Sequence, residues 1–153
     1  MDRAIALYPL DARGYLEGAN VSFLLYDRTK NDDYLQHSID LMQGVIKLDP
    51  YNAVRYGNLA MFYYAQNKQD LAGYYVEYGL SLDNQNLPSW VLLARVLQLV
   101  NNIKGSRGAL DHAYKLAPNN ELVREMYLRS QKVADDQYSK FSIPILYNPD
   151  QIE

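Results

Sequence analysis

The stretch from Ala53 to Asn120 carries one residue pattern twice, and the two copies are offset by 34 positions. Large and small residues of the first copy return in the same order in the second. The corresponding pairs are Tyr56 and Trp90, Leu59 and Leu93, Ala60 and Ala94, Tyr63 and Leu97, Ala72 and Ser106, Val76 and Leu110, Gly79 and Ala113, Leu82 and Leu116, and Asn84 and Pro118. Self-similarity at such a period predicts stacked units, because one short unit cannot bury its own apolar face.

This order of residues resembles the tetratricopeptide repeat (TPR), a helix-turn-helix unit of the same length. Small residues at Ala60 and Ala72 would let the two helices of a unit approach closely, while Tyr56, Tyr63 and Val76 would fill the space to the next unit. The resemblance implies an all-α fold. We expect a TPR-like α-solenoid of stacked antiparallel helix pairs, with about three repeats and a C-terminal capping helix.

The repeat pattern divides the chain into an array at residues 1–138 and an apolar tail at residues 139–153. Within the array we expect the end of a truncated preceding repeat (1–9), a first unit with a seven-residue insertion (12–50), a second unit (53–84), a third unit (87–118) and a capping helix (120–138).

The start of the chain matches the end of a repeat. The run Ala4-Ile5-x-Leu7-x-Pro9 has the order of Ala113-Tyr114-x-Leu116-x-Pro118. Because solenoids begin with a complete repeat or a polar cap, we formulate the hypothesis that this chain is a fragment of a larger protein. A short native N-terminal turn is the alternative, since terminal repeats are atypical.

The insertion of the first unit lies between its two helices, in residues 27–33. Its polar composition predicts an extended turn, with one more turn of helix on either side as a further option. Asn31 or Asp32 would cap the helix that follows.

The C-terminal part combines an amphipathic helix and an apolar tail. The inner stripe of the helix is expected to contain Leu122, Val123, Met126, Tyr127, Ser130 and Val133. Pro144 and Pro149 prevent a regular helix in the tail. The tail is expected to pack back on its own domain, and the groove of a neighbouring molecule is the alternative.

Composition argues against most kinds of chemistry in this chain. The net charge of -3 gives no basic field for nucleic acid, and no cysteine is present. No apolar run is long enough for direct membrane insertion. His37 and His112 are expected to face solvent, and no catalytic, metal-binding or phosphate-binding spacing occurs. We therefore predict no enzyme activity, no catalytic residue, no metal and no cofactor.

In TPR arrays the first helices of successive units line a concave groove that binds partners. Carried over by position, the resemblance implies a groove lined by Arg13, Leu16, Asn20, Phe23, Val54, Asn58, Met61, Tyr64, Val91, Leu92, Arg95 and Gln98. Asn20 and Asn58 match asparagines of the TPR adaptors that hold chaperone C-termini. The cationic positions of that clamp carry Leu16, Pro88 and Leu92, so a terminal carboxylate lacks its partners there. We reject the chaperone-tail interpretation for this reason.

Two functional hypotheses follow. The first is a non-catalytic scaffold that binds a protein or peptide in the concave groove. The second rests on Asn31-Asp32-Asp33-Tyr34-Leu35-x-x-Ser38-Ile39, which resembles the C-terminal TPR tails of bacterial membrane polysaccharide polymerases and O-antigen ligases. It implies an extracytoplasmic accessory domain, whereas a free scaffold leaves the compartment open. Self-association through the truncated N-terminal end or the C-terminal tail is a further possibility.

Overall fold

The structure, a computed structural model, describes residues 12–146. This part of the chain is all-α, as the repeat pattern predicts, and contains seven α-helices and one 3-10 helix. The α-helices are α1 (Ala12–Thr29), α2 (Asp32–Leu48), α3 (Ala53–Ala65), α4 (Gln69–Leu82), α5 (Leu87–Leu99), α6 (Ile103–Leu116) and α7 (Glu121–Lys132). The 3-10 helix η1 spans Asp135–Lys140. The predicted repeat end at residues 1–9 lies outside the described residues.

The helices form pairs that stack into an α-solenoid. The most extensive packing lies within the pairs α1–α2, α3–α4 and α5–α6, while α2–α3, α4–α5 and α6–α7 join successive pairs. Contact between α3 and α5 shows that the first helices of neighbouring pairs lie side by side. We refer to the side formed by these first helices as the concave surface, the term used for TPR arrays. The division of the array into numbered units remains a prediction.

Small residues bring the helices of a pair together. Ala60 and Ala72 are fully buried in the core between α3 and α4. Gly79 lies so close to the start of α3 that an added Cβ would be 3.0 Å from the carbonyl oxygen of Ala53. Large neighbours such as Phe62 and Val76 fill the remaining volume and are also fully buried. The alternation of sizes in the sequence is therefore a packing requirement.

The turns inside the three pairs share one backbone conformation. Lys30, Asn67 and Asn101 each have a positive φ, at 54°, 60° and 57°. A residue in the left-handed region reverses the chain after the first helix, and asparagine tolerates this conformation better than most residues. The shared turn conformation therefore connects the two helices of each pair in a similar way.

The predicted extended turn of the first pair is wrong. Helix α1 continues to Thr29, and only Lys30 and Asn31 lie between α1 and α2. The inserted residues lengthen the helices, which is the other option that the sequence leaves open. The backbone N–H of Lys30 still donates to the carbonyl oxygen of Tyr26 at 2.6 Å, so the helical hydrogen bonding reaches the turn itself.

Asn31 caps α2, as predicted, and its side-chain oxygen accepts a hydrogen bond from the N–H of Asp33 at 2.9 Å. Substitution Asn31→Ala removes this acceptor from an exposed helix start. We expect the free energy of unfolding to fall by about 1 kcal/mol. Urea denaturation of Asn31→Ala and of Asn31→Asp, which retains an acceptor, measures the effect. Equal losses in both variants would contradict the capping role.

The capping helix is shorter than predicted. Helix α7 ends at Lys132, and the chain turns back at Val133 and Ala134 into η1. Arg107 of α6 accounts for this end, because its guanidinium donates to the carbonyl oxygens of Ser130 at 3.0 Å and Val133 at 2.6 Å. The predicted inner stripe is also wrong at Leu122, which is 43% exposed.

Candidate functional site: the concave surface

A cavity of about 450 Å³ lies on the concave side of the array. Its walls come from α1, α3, α5 and the loop before α5, and one edge comes from the end of the described chain. The lining residues are Asn20, Val54, Arg55, Gly57, Asn58, Met61, Asp83, Gln85, Asn86, Leu87, Pro88, Ser89, Leu92, Ile145 and Leu146. We call this space the central cavity. All three helix pairs contribute to it through their first helices.

Five of the predicted groove residues line the central cavity. They are Asn20, Val54, Asn58, Met61 and Leu92. Val54 is 38% exposed at its rim, whereas Asn20, Met61 and Leu92 are buried and form its floor. The cavity thus combines amide groups with aliphatic surface.

Other predicted groove residues have structural positions. Leu16 and Val91 are buried in the hydrophobic core. Phe23 stacks on Phe62, with ring centroids 4.8 Å apart, and is half-buried. Arg13 is exposed on α1 and pairs with Glu17 at 3.0 Å. The helical register places these four side chains outside the central cavity.

The remaining three predicted residues form a connected hydrogen-bond chain. Arg95 donates from Nε to the hydroxyl oxygen of Tyr64 at 3.0 Å and from Nη1 to Oε1 of Gln98 at 2.6 Å. The Gln98 amide nitrogen then donates to the carbonyl oxygens of Tyr138 and Phe141, each at 2.6 Å. Helices α3 and α5 are thereby linked to the C-terminal part of the chain.

The C-terminal part, residues 135–146, returns over the array, and we call it the return segment. Its side chains Tyr138, Phe141 and Ile143 are buried, and Ile145 and Leu146 pack against the core. The expectation that the tail packs on its own domain is thus confirmed for its described residues. The segment covers Gln98 and reaches the rim of the central cavity, so the protein's own chain occupies part of its concave surface.

Tyr138 is the most deeply buried contact of the return segment. Its hydroxyl lies 3.2 Å from Oγ of Ser106. Ser106 donates its single hydroxyl proton to the carbonyl oxygen of Ala94 at 2.8 Å, so Tyr138 is the donor in the bond between the two hydroxyls. The guanidinium of Arg107 lies 4.9 Å from the Tyr138 ring centroid and makes an ion pair with Asp135 at 2.7 Å. These contacts fix the beginning of the return segment.

Burial raises the pKa of Tyr138 above its ordinary value of 10.0, and burial is also the main cause of raised pKa values at Tyr56 and Tyr63. The unfolded chain therefore loses these protons first as the pH increases. Stability should fall as pH rises from about 10 towards the folded-state pKa values. Urea denaturation at several pH values between about 8 and about 11, on both sides of the ordinary tyrosine pKa, measures this decline. Tyr138→Phe should reduce the decline, and an unchanged slope would contradict the assignment.

Arg55 is one of several cavity residues that the sequence did not indicate. It follows Val54 on α3, and its Nε is buried with no hydrogen-bond partner among the described residues. Its position in the repeat is not one that TPR adaptors use for cations, so the resemblance gave no signal. The positions that they do use hold buried Leu16 and the cavity residues Pro88 and Leu92. The cationic clamp is therefore absent from those three positions.

Both histidines lie on the surface of the part of the chain that the structure describes. His112 is exposed and stacks on Trp90, with ring centroids 4.4 Å apart, and His37 is exposed on α2. Within residues 12–146, no group of three or more acidic or histidine side chains could hold a metal ion. None of the helices in this range is long and apolar enough to cross a membrane.

The motif from Asn31 to Ile39 has local structural roles. Asn31 caps α2, and Leu35 and Ile39 are buried in the core. Ser38 is also buried and donates its hydroxyl to the carbonyl oxygen of Leu35 at 2.7 Å. These four residues therefore contribute to the fold of the first pair.

Comparison with solved structures defines the class of this fold. A thermophilic TPR protein of Thermus thermophilus has a TM-score of 0.76 at 16% identity, over 86% of this chain and 70% of that one. The first TPR of Spaghetti (RPAP3), bound to the HSP90 peptide SRMEEVD, has a TM-score of 0.62 at 16% identity, over 80% and 94%. The Yersinia enterocolitica type III secretion chaperone SycD, in complex with a YopD peptide, has 0.61 at 20% identity, over 74% and 84%.

No protein-family model and no curated protein match the chain. The sequence identity to these structures is low, so the structural similarity identifies the fold alone. The chain has the fold of a TPR array, an α-solenoid of helix pairs.

Proposed function

We propose that this protein is a non-catalytic interaction module that binds an extended peptide of a partner protein on its concave surface. The central cavity is the proposed binding site of the peptide. The observation that carries the proposal is that this cavity is built jointly by the first helices of all three pairs. Two TPR structures of the same fold hold peptides, one from HSP90 and one from YopD, which supports the same use of the fold here.

The chemistry of the central cavity suits a peptide backbone. The amide of Asn58 is half-buried in its wall and offers both a donor and an acceptor, as a peptide group requires. Met61 and Leu92 provide apolar contact for side chains beside it. Arg55 adds a buried N–H donor without a partner among the described residues, and a ligand oxygen at this nitrogen would satisfy it.

A random peptide library displayed on phage and selected against the full chain tests the proposal. Selected peptides are then measured against Asn58→Trp, whose indole would fill the central cavity. We expect affinity to fall by at least about tenfold, which corresponds to roughly 1.4 kcal/mol. Circular dichroism confirms that the variant is folded.

The matched control is Tyr74→Trp, which places the same side chain on α4 at a residue that is 62% exposed and does not line the cavity. This variant should bind the selected peptides as the wild-type protein does. Peptides that lose binding to Tyr74→Trp and keep it for Asn58→Trp would place the interaction elsewhere and refute the proposal.

The second hypothesis, a C-terminal extracytoplasmic accessory domain of a polysaccharide polymerase or O-antigen ligase-like enzyme, rests on the first unit, with its seven-residue insertion and the motif from Asn31 to Ile39. It includes the hypothesis that the chain is a fragment of a larger protein. Sequencing of the native transcript upstream of Met1 tests both. Membrane spans encoded there would support the accessory domain, and further repeats would support a free scaffold. A transcript that begins at Met1 would also support a free scaffold and would contradict the fragment hypothesis.

A further inference from the structure

The return segment is attached to the array in two different ways. In its first part, Gln98 donates to the carbonyl oxygens of Tyr138 and Phe141, and Tyr138 bonds to Ser106. In its second part, residues 142–146, no hydrogen bond is formed within the described chain. Among the described residues, the second part is attached by apolar contact. The two parts should therefore differ in how easily they leave the array.

The apolar contact of the second part weakens towards its end. Ile143 is buried, whereas Ile145 and Leu146 are half-buried where they form one edge of the central cavity. Pro144 has no backbone N–H and favours an extended chain on either side. An aliphatic segment without helical structure thus lies beside the amides and aliphatic side chains of the proposed peptide site.

We propose that residues 143–146 are a displaceable occupant of the concave surface, and that the partner segment which replaces them is an extended aliphatic peptide. This inference rests on the proposed function, since it concerns the same site. Residues 143–146 indicate which ligand chemistry the concave surface binds. The aliphatic side chains of Ile145 and Leu146 already form one edge of the central cavity, which Leu92 and Met61 also line.

The proposal has a quantitative consequence for partner binding. While Ile145 and Leu146 occupy the edge of the cavity, only the fraction of molecules with an open edge can accept a partner there. The apparent dissociation constant then equals the intrinsic constant divided by that fraction. Weakening the attachment of the protein's own segment should therefore tighten the binding of an external one.

The test uses the full chain and its double variant Ile145→Ser/Leu146→Ser. The probe is a synthetic peptide with the sequence of residues 141–146, acetylated and amidated, and binding is read from the side-chain amide of Asn58 by NMR. We expect the peptide to bind the double variant at least about tenfold more tightly than the wild-type protein. A peptide with serine at both aliphatic end positions should bind neither. Circular dichroism checks folding, and Leu146→Ser alone provides a milder variant with a smaller expected gain.

The outcomes separate this inference from the proposed function. Equal affinity for the wild-type protein and the double variant would show that residues 143–146 do not compete, even where library peptides still depend on Asn58. No binding to the double variant would refute the aliphatic chemistry of the partner. Failure of the proposed function is recognised differently, by selected peptides that are insensitive to Asn58→Trp.

Discussion

Tyr138→Ala is expected to lower the free energy of unfolding by about 3–5 kcal/mol, the usual cost of truncating a fully buried aromatic residue. The side chain of Tyr138 has no exposed surface and packs between α5, α6 and Phe141. Its removal leaves a cavity and breaks the bond to Ser106. Urea denaturation followed by circular dichroism measures the loss.

The matched control is Tyr138→Phe, which keeps the ring and removes the hydroxyl alone. The oxygen of Ser106 loses one donor, so we expect a loss of about 1 kcal/mol. If Tyr138→Ala cost no more than Tyr138→Phe, the aromatic ring would not be packed on the array. That result would contradict the return segment as described.

Gln98→Glu should destabilise the protein by about 2 kcal/mol, because it leaves two buried carbonyl oxygens without donors and places a carboxylate against them, while pairing with Arg95 offsets part of this cost. The two oxygens belong to Tyr138 and Phe141, and the glutamine side chain is buried. Glutamate has nearly the same shape, so the effect reports the lost hydrogen bonds and the added charge. The loss should diminish at low pH, where the carboxyl group becomes protonated.

Gln36→Glu provides the comparison for this substitution. Gln36 is exposed on α2, where it donates to Asp40 at 2.9 Å and accepts from Gln66 at 3.1 Å. Its replacement by glutamate removes the bond to Asp40 and adds a solvent-exposed carboxylate beside it. We expect less than about 1 kcal/mol for this variant. Similar losses at positions 98 and 36 would contradict the role of Gln98 in fixing the return segment.

The helical fold was predictable because it depends on local patterns that repeat. Ala60 and Ala72 indicated close helix packing, and both are fully buried. Asn31 indicated the start of α2 and caps it. The length of α1 was less certain, because polar residues in the inserted stretch suit an exposed helix as well as a turn.

The concave surface was predictable only in part, because which of its residues are covered depends on contacts between residues far apart in the sequence. Asn58 and Leu92, which the repeat positions assign to the groove, line the central cavity, and their role in binding remains a prediction. Gln98 occupies a groove position in the sequence, but its partners are Tyr138 and Phe141, some forty positions away. Similarly, the end of α7 depends on Arg107, and nothing in Val133 or the following alanine stops a helix by itself.

Methionine methyl groups offer the most direct test that the concave surface binds peptides. Met61 lines the central cavity, whereas Met42 and Met126 are buried elsewhere in the core. With carbon-13 in the methionine methyl groups, a peptide selected from the library can be titrated into the full chain. The account predicts that the Met61 resonance shifts while those of Met42 and Met126 remain in place. A bound peptide that leaves Met61 unchanged would contradict it.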